Sequence, residues 1–541
     1  MLLIPPGKPF NPIHPGIRAP RPDAPKTTPK VFILRRSKFN PTRKTVSAYS
    51  KLEAKAREIA RLREVAAITH WDEACMMPRG GGTGRSEALA SLATLIHERV
   101  ADPEIGELLN RARGEGIELD AWQSANVTNM EREFVEATAI PSDLVRASRL
   151  AELKCEQAWR EARARNDWAT VEPLLAHVVG LARQQADALA DAMHLSRYDA
   201  LLEVYEPELR VADIEPVFED LKAFLPGALE TALDRQGEVA PLEGPFTVEE
   251  QRELSVEVMG LLGFDFERGR LDVSHHPFCG GVPDDTRITT RYLESSFIEA
   301  LMATCHETGH ALYQQGLPRD WRQQPVGDSL GAAVHESQSL LMELQVCRSR
   351  EFVGFLTPMI RRHFGRSETD AAWSTDNLYG HVTRVARGYI RVDADEITYP
   401  LHVILRFELE RQLLDGALAV ADLPEAWNDA MQRYLGLSTA GKDADGCMQD
   451  VHWYAGLFGY FPTYTLGALT AAQWFATARK LIPDLASNIA AGNLRPLVDW
   501  LRENIHGRGR QVTMQPLLQE VTGSTLDAAF YKRHIETRYL S

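Results

Sequence analysis

The chain has 541 residues, 44% hydrophobic and 25% charged, and its 60 Lys plus Arg against 75 Asp plus Glu give a formal net charge of −15. An acidic balance excludes nucleic acid or an anionic membrane as the main partner, because either calls for a dominant basic surface. Disordered and collagen-like classes fall away on composition, and no run approaches the roughly 18 apolar residues that span a bilayer.

Residues 1–45 hold ten Lys or Arg, one Asp and ten of the thirty prolines. Such a stretch cannot bury enough apolar surface to order itself and reads as a disordered basic extension. Its first apolar residues stop at Pro5-Pro6, too soon for a signal peptide. The remaining 46–541 carry 50 basic and 74 acidic residues, a balance of −24, and read as a separate folded domain.

From Val46 the apolar residues recur at three- and four-residue steps. Leu52, Ala56, Ile59, Leu62, Val65 and Ile68 set this rhythm, and Arg85–Val100, Asp120–Ala164 and Val171–Met193 continue it, with Pro141, Pro173 and Pro207–Pro216 as expected breaks. Arg270–Val273 and Arg287–Tyr292 are short β-type runs flanking the turn signals Gly280-Gly281 and Pro283-Asp284-Asp285, which predicts a hairpin. Helix resumes near Glu294 and continues, broken near Pro318, Pro400, Gly441 and Pro462. The predicted fold is mainly α, one large helical domain with a small β element. Six widely spaced cysteines without a CxxC pair favour free thiols in a reducing cytoplasm.

Residues 306–310 read His-Glu-Thr-Gly-His. On a helix, positions i and i+4 share a face, so His306 and His310 can present imidazole nitrogens to one metal ion. Glu307 is placed to reach a water on that metal, take its proton and pass it to the leaving amine. The motif lies in Ser296–Gln315, a continuous helical pattern with Phe297, Leu301, Met302, Cys305, Leu312 and Tyr313 on its apolar side. A catalytic zinc site usually takes three protein ligands. Glu336, in Val334-His335-Glu336-Ser337-Gln338, is the third candidate, after a loop with Gly316, Pro318, Pro325 and Gly327 that allows the chain to return antiparallel. His335 beside it reads as a supporting group.

These residues carry a family resemblance. The motifs run in order through most of 46–541: Trp71-Asp72 with Met77-Pro78, His276-Pro277-Phe278, Asp285-Thr286-Arg287-Ile288-Thr289, His306 to His310, and His335-Glu336-Ser337-Gln338. Ile390-Arg391-Val392-Asp393-Ala394-Asp395, Gly446 to Trp453 and Phe458 to Tyr464 follow. Together they resemble the carboxypeptidase Taq family of metallocarboxypeptidases. The resemblance implies a helical fold with a deep central groove, a homodimer, and release of single residues from peptide C-termini. It also implies a zinc-type enzyme with the ion held by His306, His310 and Glu336 and with Glu307 as general base; Co2+ or Mn2+ in place of Zn2+ stays open, since His2Glu sites accept several divalent ions. Family members lack a counterpart of the first 45 residues, and Ala468 stands where the family pattern has Asn.

An exopeptidase must recognise the free α-carboxylate of its peptide substrate, best done by an arginine through paired charge-assisted hydrogen bonds. Arg391 and Arg287 are the candidates; the competing role for each is an ion pair with Asp395 or Asp285 that holds the fold. His452 and Tyr464 are candidates, by analogy with other helical zinc peptidases, for donating hydrogen bonds to the oxyanion. His276 either meets the substrate backbone or caps a turn. The alternatives are an endopeptidase or oligopeptidase on the same scaffold and a non-catalytic helical protein with a structural metal. No phosphate-binding GxxxxGK[ST] loop or GxSxG elbow competes.

Overall fold

Residues 47–114 and 118–541 are described in the computed structural model, so the extension expected at 1–45 lies outside the described residues. Ser47 starts the first helix by accepting the Ser50 N–H at 3.1 Å. Helices α1 (Ala48–Cys75), α2 (Gly82–Val100), α3 (Pro103–Gly114) and α4 (Ala121–Ala139) share a core of their own, in which Leu52, Ile59, Leu108 and Val127 are buried. A capping box of Asp120 with Gln123 begins α4, and Pro141 separates it from α5 (Ser142–Ala164), as expected.

Helices α6 (Trp168–Met193), α7 (Arg197–Tyr205), α8 (Val211–Arg235) and α9 (Val248–Leu262) join the main core. Pro173 and Pro216 were expected as breaks but lie inside α6 and α8. Each falls in the second turn, where little helix precedes the ring and one lost hydrogen bond is tolerated.

The β element is a sheet of three strands, β1 (Gly269–Val273), β2 (Phe278–Val282) and β3 (Asp285–Thr290), in the order β1-β3-β2. This corrects the expected hairpin. The two β-type runs pair in parallel, Leu271 opposite Ile288, and the hairpin is β2 with β3, Gly280 opposite Arg287. The Gly280-Gly281 pair looked like a turn but belongs to an edge strand, whose lack of side-chain alternation hid it.

Helix α10 (Ile298–Gly316) carries the HExxH residues, and α11 (Ala332–Leu340) runs into a π-helical turn, Leu341–Cys347. Leu271 and Ile288 pack with Ala311 of α10, so the sheet lies against the helix next to His310. Then come α12 (Arg350–His363), α13 (Thr375–Val382), α14 (Tyr399–Asp415), α15 (Leu423–Leu435) and α16 (Pro462–Leu481). Pro400 and Pro462 sit in the first turns of α14 and α16, where a proline's missing N–H is harmless. Helices α17 (Leu485–Ala490), α18 (Arg495–Asn504), α19 (Met514–Thr522) and α20 (Ala528–Tyr539) complete the chain. A cavity of about 310 Å³ lies between α1, the β2–β3 turn and the 322–329 segment and reaches Gln314, one turn beyond His310. Among the described residues, no helix is long and apolar enough to cross a membrane.

Candidate metal centre and active site

His306 and His310 occupy successive turns of α10, their ring centroids 5.0 Å apart. Each Nδ1 faces an acceptor: Glu343 Oε2 at 2.9 Å from His306 and the His335 carbonyl at 3.1 Å from His310. A proton held on Nδ1 leaves Nε2 as the atom offered to a metal. Both Nε2 atoms point to Glu336, at 3.9 Å from His306 and 3.5 Å from His310. One ligand atom from each of the three lies within 4.8 Å of the other two, and no second such group of three occurs among the described residues. A soft–hard set of two imidazoles and one carboxylate with this spacing fits a single divalent ion.

Tight helix packing makes the geometry. A Cβ on Gly309 would stand 2.4 Å from the Gln338 carbonyl oxygen, so only glycine lets α10 lie this close to α11. Gly467 of α16 similarly abuts Glu336, whose Cβ and Cγ would be 2.8 Å from an added Cβ. The N-terminus of α11 has no side-chain cap of its own; buried Glu206 supplies one by accepting the Ala333 N–H at 2.8 Å. His335 stacks on His310, centroids 4.4 Å apart, and its Nε2 meets Gln314 at 3.0 Å.

The electrostatics favour a cation. Burial raises the Glu307 carboxyl above its usual range, an effect that His306 and His310 partly offset. Burial also works against charge on Glu336 and His306, but it is outweighed in both. The His310 hydrogen bond and the charges of His306 and His310 hold Glu336 low, while the Glu343 hydrogen bond and the Glu336 charge push His306 up to about 10. Carboxylates that hold a proton on Nε2 equally welcome a metal in its place.

The neighbouring region is basic. Arg391 sits on the 3-10 turn Arg391–Asp393, and its side chain is 5% exposed. Its Nε and Nη2 donate to Asp450 Oδ1 at 3.0 and 2.8 Å, and the guanidinium lies 4.7 Å from the Tyr464 ring centroid. Arg406 of α14, fully buried, donates through Nε to Asp450 Oδ2 at 2.7 Å. The two arginine charges hold the Asp450 carboxyl far below its usual range against the opposing effect of burial. Asp395, the expected partner of Arg391, instead accepts the N–H groups of Ala386, Ile397 and Thr398.

His452 and Tyr464 do come together, His452 Nε2 to the Tyr464 hydroxyl at 3.1 Å. Burial, then the Arg391 charge, lowers His452 to about 4, and burial raises Tyr464, so both are neutral near pH 7. The Glu336 charge helps raise Tyr399, Tyr460 and Tyr464, which lie on the side of the site facing that carboxylate.

Arg287 and His276 stand apart from that pair. Arg287 donates to both Asp285 oxygens, at 2.9 and 2.7 Å, and lies 4.0 Å over the Trp71 ring, tying α1 to the sheet. His276 is exposed, and its carbonyl accepts the Ser274 hydroxyl. Between them, β2 flanks α10: after burial, the Glu307 charge is what raises the Cys279 thiol. Glu343, Arg406 and Asp450 had no assigned place in the sequence reading. Glu343 lies seven residues after Glu336, two helical turns along one face, which is the signal that would have found it.

A helical scaffold that sets two histidines of one helix against a glutamate of the next, with a buried glutamate beside them, defines a metallopeptidase of the HExxH class. The model of the carboxypeptidase Taq (M32) metallopeptidase family matches residues 51–539, and the chain belongs to that family and is a metallocarboxypeptidase. It is 40% identical over 506 residues to thermostable carboxypeptidase 1 of Thermus thermophilus, covering 91% of this chain and 98% of that one. Carboxypeptidase 1 of Bacillus subtilis is 31% identical over 487 residues, covering 89% and 96%. Among solved structures, Trypanosoma cruzi metallocarboxypeptidase 1 superposes with a TM-score of 0.89 at 37% identity, covering 91% of this chain and 99% of that one. The M32 carboxypeptidase from Deinococcus radiodurans gives 0.86 at 35%, covering 91% and 98%.

Proposed function

We propose that the chain removes single residues from peptide C-termini with one divalent ion held by His306, His310 and Glu336. The observation that carries this is the approach of the three ligand atoms to within 4.8 Å, with both Nδ1 atoms already engaged elsewhere. Zn2+ suits a His2Glu set, and Co2+ fits the same donors. When bound, such an ion supplies Lewis-acid activation of water and of the scissile carbonyl.

The protein's own groups do the rest. Glu307, buried and with its proton affinity raised, takes a proton from the attacking water and delivers it to the leaving amine nitrogen. His452 and Tyr464, both neutral, donate hydrogen bonds to the carbonyl oxygen as negative charge builds on it. Arg391 reads the substrate carboxylate. Asp450 is shared by two arginines, so the cluster keeps one positive charge in excess, which an anionic C-terminus would neutralise. The surroundings of Arg287 and His276 support roles in holding α1 on the sheet and shaping the turn before β2.

Residues 46–541 are proposed as the catalytic domain. The six free cysteines are in keeping with a cytoplasmic enzyme, and the family resemblance implies a homodimer. Mass spectrometry of a mixed peptide pool after incubation tests the activity: C-terminal ladders that vanish with chelator are expected, whereas internal fragments would favour the oligopeptidase alternative.

A further inference from the structure

We infer that Arg538, in the last turn of α20, is a positioning residue for the metal centre, acting through the π-helical turn Leu341–Cys347. The inference rests on the proposed metal-binding role of His306, His310 and Glu336.

At the end of that turn the backbone changes partners. The Arg348 N–H reaches back five residues to the Glu343 carbonyl at 3.0 Å, and the Ser349 N–H bonds to the Val346 carbonyl at 2.9 Å. The Leu344 carbonyl thereby loses both donors a continuing helix would offer, the one four residues on and the one five residues on. Leu344 is buried, so water cannot readily replace them. Arg538 supplies the donor, its Nη1 lying 2.7 Å from the Leu344 oxygen.

Arg538 is itself held in place. The same Nη1 lies 2.6 Å from Glu396 Oε1, and the Arg538 side chain is 8% exposed. Glu396 is buried and also binds the Tyr539 hydroxyl at 2.9 Å and His534 Nε2 at 2.5 Å. The last turns of α20 therefore converge on one carboxylate and present one guanidinium to the π turn.

Glu343 directly precedes Leu344 in that turn. It joins Arg348 Nη2 at 2.6 Å to His306 Nδ1 at 2.9 Å, so its position about the helix axis sets the orientation of the imidazole. Without Arg538, an unsatisfied buried carbonyl would favour rewinding of the turn, and Glu343 would rotate away from His306. The cost should appear as weaker metal binding.

The test is Zn2+ affinity of the full chain, measured by competition with a chromophoric chelator, alongside thermal melting. Wild type, Arg538→Gln, Glu343→Gln and the double variant are compared, with Lys532→Gln as control. Lys532 lies on the same helix but pairs with Asp220. Loss of a group supporting a metal ligand costs roughly 10–100-fold in affinity; acting one step further out, Arg538→Gln should weaken Zn2+ binding about tenfold. Lys532→Gln should leave it unchanged, and the double variant should be weaker by less than the product of the single effects, because both act along one route. Wild-type Zn2+ affinity in folded Arg538→Gln, or independent multiplication of the two effects, would overturn the inference. If Arg538→Gln does not fold, Arg538→Lys, which keeps the charge but not the fork, meets the same two criteria with a smaller loss. A wild type that binds no Zn2+ overturns the metal assignment and this inference together; unchanged binding in the variant overturns the inference alone.

Discussion

At the proposed metal end of the site, Glu343 pairs with Arg348 near Glu307 and Glu336; at the other, Arg391 and Arg406 share one carboxylate, Asp450. In the first set the carboxylates also hold a proton on His306, whereas the second keeps a surplus of one positive charge, both in buried surroundings where an unmatched charge is costly. A divalent cation in place of that proton is the proposed complement of the first set, and a carboxylate anion that of the second. The metal end is also local, built on α10, α11 and the turn that continues α11. The arginine end gathers residues from the 391–398 turn, α14, the 450–453 loop and α16.

The sharpest way to break the metal end without emptying it is Glu307→Gln. Turnover should fall by about 10³-fold or more, in the range set by losing general acid–base help, with metal content per chain unchanged by elemental analysis. Retained activity would remove Glu307 from its proposed role.

Asp450→Asn attacks the other end. It leaves two buried arginines without their counter-charge, so denaturant unfolding should show a loss of about 3–5 kcal/mol while Zn2+ binding survives. An equal loss of metal binding would mean that the two ends are not separable.

A smaller effect tests the support beneath the arginine end. Buried Glu410 accepts the Tyr198 hydroxyl, Trp453 Nε1 and the Gly459 N–H at 2.6–2.7 Å, under the segment that carries His452. Burial raises its carboxyl to about 7 despite these bonds. An unfolded glutamate titrates near about 4.3, so the folded state keeps the proton longer and stability falls as pH rises through roughly 4.3 to 7, by about 4 kcal/mol in all. Glu410→Gln should flatten that slope in denaturation curves at pH 5 and pH 8; an unchanged slope would assign it to other groups.

The smallest expected effect is none. Residues 1–45 supply none of the groups assigned to either end, so after their deletion kcat/KM should stay within error of the full chain; a large drop would place a working part of the enzyme there.

The contrast between the ends also explains what could be read in advance. His306, His310 and Glu336 were legible because helical periodicity turns spacing into direction, and a loop of known length returns α11 to α10. Glu343 was within reach of the same reasoning through its spacing from Glu336; what periodicity does not foresee is the π turn on which it lies. Arg391 was recognisable as a buried arginine, yet its partner was sought in nearby Asp395 and proved to be Asp450, 59 residues away. Asp395 satisfies backbone N–H groups instead, a use that the sequence does not distinguish from ion pairing. Strand β2 was missed because two glycines at a sheet edge look like a turn, and the parallel pairing of β1 with β3 depends on contacts with α10 that no local pattern contains.

The most direct measurement of the central claim compares one peptide as its free acid and as its C-terminal amide, with metal-loaded wild type and with Arg391→Gln. Wild type should release the terminal residue from the acid with a kcat/KM at least about a hundredfold above that for the amide, and Arg391→Gln should bring the two together by losing activity on the acid. Equal cleavage of acid and amide by the wild type, or undiminished preference for the acid in Arg391→Gln, would contradict the assignment of the arginine end to the substrate carboxylate.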